Sequence, residues 1–230
     1  FHCWKKYGHG WMDMYSGIQQ SCDVYFYDVA RRVGVDRIAA MAKRFGLGDK
    51  TGIDLPNEKA GLMPTRAWKR AAVGVPWQLG ETLITGIGQG FVLTTPLQLA
   101  MMTARLANGG IAVTPHLMRS ITMGQKVQRR QPDKFPSLGI SKSSLDFVTG
   151  AMNAVTNSRR GTAYRARIKD EEMRMAGKSG TSQVRRITKY ERETKVIKNK
   201  ERPWRDRDHA HFVAFAPVHA PRYAAAVVVE

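Results

Sequence analysis

The sequence contains few cysteines, few acidic residues and no long apolar segment. Only 2 of its 230 residues are Cys, too few for a scaffold held together by disulfides. No apolar run approaches the roughly 18 residues that a membrane-spanning helix needs, and the best candidate, Tyr223 to Val228, has the length of a strand. Hydrophobic residues nevertheless make up 43% of the chain, so the composition predicts a folded core rather than disorder.

The shortage of acidic residues leaves the chain strongly basic. It has 37 Lys and Arg against 19 Asp and Glu, a formal net charge of +18, which invites a nucleic-acid-binding interpretation. Ten Lys or Arg and five Asp or Glu lie in one stretch, 185–208. Because no helix-turn-helix, zinc finger or RNA-binding motif accompanies this charge, a basic surface that faces a membrane or a cell-wall polymer explains it equally well.

The two ends of the sequence have the character of a fragment. The chain begins at Phe1 without a signal-peptide pattern. It closes at Glu230 within a segment typical of a buried strand. We therefore expect these residues to be part of a longer protein.

Helical periodicity dominates the first two thirds of the chain. Apolar residues recur at spacings of three and four after Ser21, after Pro96 and over 144–157. Thr95 before Pro96 is a typical helix start, in which a capping residue is followed by proline in the first turn. We expect a helical part over about residues 1–165.

The last third has the pattern of a small antiparallel sheet. Segments 173–176, 211–216 and 223–228 are strand-like, and a short turn with proline between the last two predicts a hairpin. Helices first and strands last predict an α+β fold. The strands are expected over about 170–230, interrupted by the charged insert 185–208.

Three short motifs stand above this background: Ser21-Cys22-Asp23 at a helix start, Gly86-Ile87-Gly88-Gln89-Gly90, and Lys178-Ser179-Gly180-Thr181 at a strand. Taken singly, the first is usually a helix cap, the second a turn and the third a chance match. The glycine motif does not match the dinucleotide-binding fingerprint. In this order and spacing, however, the first and third correspond to the second and third motifs of the penicillin-recognising serine acyltransferases.

Short sequence segments around these motifs extend the match along nearly the whole chain. It resembles the transpeptidase domain of class B penicillin-binding proteins, in particular the elongation-specific type. The resemblance implies the penicillin-binding and serine β-lactamase-like fold, an antiparallel sheet flanked by helices, incomplete at both ends of this chain. Besides the three motifs, the residues that carry it are Trp4-Lys5-Lys6, Gly8-His9-Gly10, Tyr25-Phe26-Tyr27, Thr51-Gly52-Ile53-Asp54-Leu55, Met63-Pro64-Thr65, Thr95-Pro96, Leu106-Ala107-Asn108-Gly109-Gly110, Pro115-His116-Leu117 and Gly161-Thr162-Ala163.

This resemblance implies a reaction and three catalytic residues. The reaction is cleavage of a D-Ala-D-Ala peptide through an acyl-enzyme, followed by transfer to an amine of a neighbouring strand. Ser21 would relay a proton to the leaving group, because a hydroxyl can both donate and accept. Lys178 would supply positive charge. Asp23 would hold the substrate amide, although many relatives carry Asn there and an ionised Asp can only accept.

The resemblance also implies substrate contacts along the strand motif. The hydroxyls of Ser179 and Thr181 would hold the substrate carboxylate. The backbone N–H of Thr181 would be half of the oxyanion hole. Gly180 would let the strand edge lie close to the substrate, because a side chain there would obstruct it.

One family motif is missing from the chain. The family nucleophile lies in a Ser-x-x-Lys motif, and no serine here has a lysine three residues further on. Since that motif precedes Ser-x-Asp in the family, we expect it before Phe1, and we expect the chain alone not to form an acyl-enzyme with a β-lactam. The alternative is an inactive relative that keeps only the fold.

Cys3, His9 and Cys22 form a candidate zinc site, because thiolate and imidazole are ligands that Zn²⁺ prefers. Some relatives hold zinc beside the active site, and two of their ligand positions match Cys22 and His9. Cys3 stands where those relatives have an acidic ligand, and a fourth ligand would lie before Phe1. A disulfide between Cys3 and Cys22, or simple packing of these side chains, are the alternatives.

The resemblance completes the expectations for the whole protein. No organic cofactor is needed, and the zinc would be structural. The implied partners are peptidoglycan stem peptides, β-lactams and membrane proteins of the elongation machinery, including a polytopic glycosyltransferase, and no nucleic acid. An anchor in the inner membrane would hold the catalytic domain in the periplasm. The alternatives are a septal-type class B enzyme, an inactive or β-lactam-sensing relative, and a basic nucleic-acid-binding protein.

Overall fold

Helices precede the main sheet along the chain. The computed structural model describes residues 1–130, 134–185, 188, 191, 193–194 and 197–230. The helices are α1 (Met14–Gln19), α2 (Asp23–Val33), α3 (Val35–Arg44), α4 (Arg66–Val73), α5 (Leu79–Thr85), α6 (Pro96–Ala107) and α7 (Lys142–Asn157). The strands are β1 (Ser120–Met123), β2 (Lys126–Arg129), β3 (Ala176–Ser182), β4 (His209–Ala216) and β5 (Tyr223–Val229).

The main sheet is antiparallel, with the strands in the order β3, β4, β5. Its core lies on one face, where Ala176 and Phe215 pack with Met152 of α7. Because side chains alternate between the faces of a strand, Lys178 lies on the same face as Ala176. The α+β prediction is therefore confirmed, and so is the hairpin that β4 forms with β5.

Helix α6 starts where the sequence predicts. Thr95 caps it by accepting a hydrogen bond from the backbone N–H of Gln98, and Pro96 is its first residue. The side chain of Gln98 is fully buried and donates to the backbone C=O groups of Asp49 and Ala60, at 2.7 Å each. One buried amide therefore ties the irregular chain before α4 to this helix.

Two elements go beyond the sequence-based expectation. Helix α5 and the hairpin of β1 and β2 were not expected. All residues of that hairpin are exposed, so no burial pattern marks it. The segment 111–118 lies outside the named strands, and among the described residues it forms an isolated bridge from Ile111 to Ser137. The carboxylate of Asp54 accepts the N–H groups of Leu117 and Met118, at 2.6 and 2.8 Å, and so takes donors that a sheet ladder would use.

The charged insert 185–208 lies partly outside the described residues. In the described part, the guanidinium of Arg185 donates to the carboxylate of Glu191 at 2.8 Å, and this lowers the pKa of Glu191 to about 2. The buried guanidinium of Arg202 pairs with Asp208 at 3.1 Å. Part of the positive charge of the insert is therefore paired with carboxylates of the insert itself.

Candidate active site

Two residues 157 positions apart in the chain meet between α2 and β3. The ammonium nitrogen Nζ of Lys178 donates to the hydroxyl oxygen Oγ of Ser21 at 2.8 Å. It also donates to the backbone C=O of Ser179 at 2.7 Å. The second and third motifs, separate in sequence, therefore form one hydrogen-bonded group.

The pKa of Lys178 differs strongly from that of a free lysine. Burial lowers it to about 8, because the surrounding protein solvates the charged amine poorly, and the negative charge of Asp23 only partly opposes this effect. Near neutral pH the amine is mostly charged but close to its titration point. It can therefore stabilise a negative ligand and also exchange a proton with the Ser21 hydroxyl.

Ser21 has an uncommon backbone conformation. Its φ of 53° lies in the left-handed region, which costs about 1–3 kcal/mol for a residue with a side chain. Neither Ser21 nor Asp23 caps helix α2: Cys22 is the N-cap, and no side-chain hydrogen bond caps the helix there.

Trp4 holds this turn in place. Its indole N–H donates to the C=O of Ser21 at 2.9 Å, and its backbone N–H donates to a carboxylate oxygen of Asp23 at 2.9 Å. Trp4 belongs to the segment Trp4-Lys5-Lys6, which contributes to the family resemblance. No local sequence pattern, however, indicates that Trp4 contacts Ser21 and Asp23. Its contacts explain how the strained conformation of Ser21 is maintained.

The strand motif presents hydroxyls beside this pair. Ser179 Oγ lies 2.9 Å from the hydroxyl of Thr162, a second contact that sequence reasoning missed. Gly180 and Thr181 are exposed. A Cβ atom at Gly180 would have only Cβ of His211 within 4 Å, at 3.6 Å, so the protein itself leaves the space open. The substrate roles predicted for Ser179, Gly180 and Thr181 remain predictions, as do the catalytic roles of Ser21, Asp23 and Lys178.

The three candidate metal ligands also come together. One ligand atom from each of Cys3, His9 and Cys22 lies within 4.8 Å of the others, and both cysteines are free. The Nδ1 atom of His9 is 3.3 Å from Cys3 Sγ, while its Nε2 atom is buried without a hydrogen-bond partner among the described residues. Burial raises the pKa of the Cys22 thiol and lowers that of His9. This partly buried cluster of two thiols and an imidazole is a ligand set that suits Zn²⁺.

Comparison with known protein families identifies the family of this chain. The family profile described as the penicillin binding protein transpeptidase domain matches residues 1–230. The chain belongs to this family. Its members need no organic cofactor, and the family resemblance read from the motifs is confirmed.

Members of this family with similar sequences and structures include a peptidoglycan D,D-transpeptidase and two proteins named penicillin-binding protein 2. The chain is 38% identical to the peptidoglycan D,D-transpeptidase MrdA of Salmonella typhimurium over 229 residues, which are 99% of the chain and 36% of that protein. Penicillin-binding protein 2 (PBP2) of Pseudomonas aeruginosa, in complex with WCK 5153, matches with 40% identity and a TM-score of 0.82, over 100% of this chain and 47% of that one. PBP2 of Helicobacter pylori, in complex with MreC, matches with 35% identity and a TM-score of 0.82, over 100% of this chain and 38% of that one.

The chain spans about a third of the length of the curated relatives it matches. Within the residues that the structure describes, every helix is too short or too polar to cross a bilayer.

Proposed function

We propose that the protein containing this chain is a peptidoglycan D,D-transpeptidase of the cell-elongation type and a target of penicillins, and that residues 1–230 are part of its catalytic domain. The observation that carries the proposal is the hydrogen bond from Lys178 to Ser21. It unites the two family motifs present in this chain into a group that can move a proton. Close similarity to MrdA and PBP2 enzymes supports the choice of substrate.

The proposed reaction needs one group from outside these residues. A serine of a Ser-x-x-Lys motif would attack the carbonyl carbon of D-Ala-D-Ala, forming a C–O bond as the C–N bond to the terminal D-Ala breaks. Ser21 would pass the proton from the nucleophile to the leaving nitrogen, and the charge of Lys178 would favour that transfer. An amine of a second stem peptide would then attack the acyl-enzyme and release the serine. The Thr181 N–H would donate to the oxyanion in both steps.

Two polypeptides test this proposal. The full-length protein should gain the mass of one penicillin and release D-Ala from a stem peptide, whereas the 230-residue chain alone should show no mass shift. A full-length protein that is not acylated, or a short chain that is, would contradict the proposal. A complementation assay separates the elongation type from the septal type. The full-length protein should restore rod shape to cells depleted of their elongation enzyme, and it should not restore division to cells depleted of their septal enzyme.

We also propose a structural zinc ion held by Cys3, His9 and Cys22. The close approach of one ligand atom from each residue, all within 4.8 Å of one another, supports it. When bound, the ion would supply structural cross-links only. Cys22 directly follows Ser21 and is the N-cap of α2. A zinc ion bound to Cys22 would therefore restrain the backbone turn at Ser21.

Metal content measures this second proposal independently of activity. Purified full-length protein should contain about one zinc per chain, and the Cys22→Ser and His9→Ala variants should contain much less. His116→Ala, which removes a histidine outside the cluster, is the matched control. Equal zinc content in all four proteins would rule out the site.

The cellular setting belongs to the same proposal. Similarity to a PBP2 whose structure was determined in complex with MreC supports partners in the elongation machinery, and the family supports a polytopic glycosyltransferase among them. We place the catalytic domain in the periplasm, held by an inner-membrane anchor outside this chain. The basic insert 185–208 would then face anionic lipid or wall polymer rather than nucleic acid.

A further inference from the structure

The side-chain amide of Gln89 bonds to the backbone at the end of β3. Its Nε2 atom donates to the C=O of Thr181, and its Oε1 atom accepts the N–H of Gln183 at 3.2 Å. The loop that carries Gln89 is itself held, since its backbone N–H donates to the C=O of Ile84 at the end of α5, at 2.9 Å. A glutamine 92 positions away in sequence thus acts as a short extra strand beside β3.

These contacts change what the edge of β3 offers to a ligand. Backbone groups of residues two apart point to the same edge of a strand, so Ser179, Thr181 and Gln183 share one edge. On that edge the C=O of Ser179 already accepts from Lys178, and the C=O of Thr181 accepts from Gln89. The N–H of Thr181 faces the same edge. The edge is therefore rich in donors and best suited to a ligand that brings acceptor oxygens.

We propose that Gln89 is a positioning residue that ends the ligand-binding edge of β3 at Thr181. Its Oε1 atom accepts the N–H of Gln183, which is therefore not available to a ligand. A peptide ligand that pairs with β3 consequently cannot continue its hydrogen bonds past Thr181. The hydrogen bond from Gln89 Nε2 to the C=O of Thr181 fixes the backbone just after Thr181. It thereby keeps the Thr181 N–H aimed at the reacting carbonyl oxygen of the bound ligand. This inference rests on the proposed function.

The residue type is specific to this task. Both contacts need a donor and an acceptor on one side chain, and only the amides of Asn and Gln have that pair in this geometry. Asn is one methylene shorter. Glu keeps an acceptor for Gln183 but has no donor for Thr181 when ionised, and Met has the length of Gln without either group. These differences define the variants that test the proposal.

The experiment measures acylation of the full-length protein by a fluorescent penicillin over a range of concentrations. This range separates the apparent dissociation constant from the first-order acylation constant. We expect Gln89→Met and Gln89→Glu to lower the acylation constant about tenfold, the scale expected for one or two lost hydrogen bonds, with the dissociation constant within twofold. The control is Gln128→Met, because Gln128 lies on the exposed strand β2. It should leave both constants unchanged.

The split between the two constants distinguishes positioning from a general structural role. Melting temperatures of the variants should stay close to that of the wild type, and exchange of the Gln183 amide hydrogen should become faster in Gln89→Met. An unchanged acylation constant in both variants, or a loss confined to the dissociation constant, would overturn the proposal. Absence of acylation in the wild type would instead overturn the proposed function, and the positioning role with it.

Discussion

Two lysines of this chain are shielded from water, and their surroundings differ. Lys69 is 3% exposed, and its Nζ atom contacts both carboxylate oxygens of Glu81, at 2.5 and 2.7 Å, and the C=O of Pro76 at 2.9 Å. Lys178 donates instead to neutral acceptors, Ser21 Oγ and the C=O of Ser179. The charge of Lys69 is compensated in direct contact, whereas that of Lys178 is not.

The difference separates a lysine that joins two helices from one that we propose takes part in catalysis. Lys69 and Glu81 join α4 to α5, and the ring of Trp77 lies 5.9 Å from the same nitrogen. A compensated ion pair of this kind has no spare charge for a ligand. Burial lowers the pKa of Lys178 to about 8, and the charge of Asp23 opposes this only in part. Because no carboxylate contacts the amine, its charge stays available for an anionic group. A single residue type therefore forms an ion pair between two helices in one region, and in the other it is the residue for which we propose a catalytic role.

The largest expected effect is on activity, from removing the side-chain amine of Lys178. Lys178→Met should lower the acylation rate of the full-length protein about 10³-fold, because the proton route through Ser21 loses its charged partner. The melting temperature should stay the same or rise, since burying this charge is unfavourable. Acylation kinetics and a thermal melt on the same preparations check both. Activity within tenfold of the wild type would remove Lys178 from the mechanism.

The next effect is on stability, from breaking the structural pair. Lys69→Met leaves the carboxylate of Glu81 without its partner, and we expect the free energy of unfolding to fall by about 3 kcal/mol. The double variant Lys69→Met with Glu81→Gln should recover part of this loss, because no buried charge remains. Urea titration measures all three proteins. A single variant as stable as the wild type would show that the pair does not join α4 and α5 tightly.

The smallest effect is a shift of the pH profile. The acylation efficiency should fall above about pH 8, as the Lys178 amine loses its proton. Lys178→Arg keeps the charge at higher pH, so any residual activity of this variant should lack that fall. For stability the sign is opposite, because the folded state binds the Lys178 proton less tightly than the unfolded state does. Wild-type stability measured against Lys178→Met should therefore rise between about pH 8 and pH 10.5. A flat difference would mean that this lysine titrates normally.

Sequence patterns predict the elements that have regular burial. Helix α6 has a cap, a proline and an apolar face, and β5 has a run of valines and alanines, so both follow from local rules. The hairpin of β1 and β2 escapes those rules because it buries neither face. Helix α5 was missed because it is only seven residues long, too short for periodicity to mark it.

The candidate site divides in the same way. Motif order and spacing identified Ser21, Asp23 and the strand motif from 178 to 181, and residue chemistry identified the cysteine and histidine cluster. Neither could show that Trp4 supports the Ser21 turn or that Thr162 contacts Ser179. Such contacts join segments far apart in the chain, and no local propensity encodes them.

The sequence by itself determined the family, the α+β class and the residue types available for chemistry, because these depend on composition, order and local periodicity. Only the tertiary structure decided which groups meet. It placed Lys178 beside neutral oxygens rather than a carboxylate, and it brought Gln89 to the end of β3. Both outcomes depend on how α2, the loop after α5 and the sheet edge approach one another, and that approach sets burial, charge and hydrogen bonding at the site.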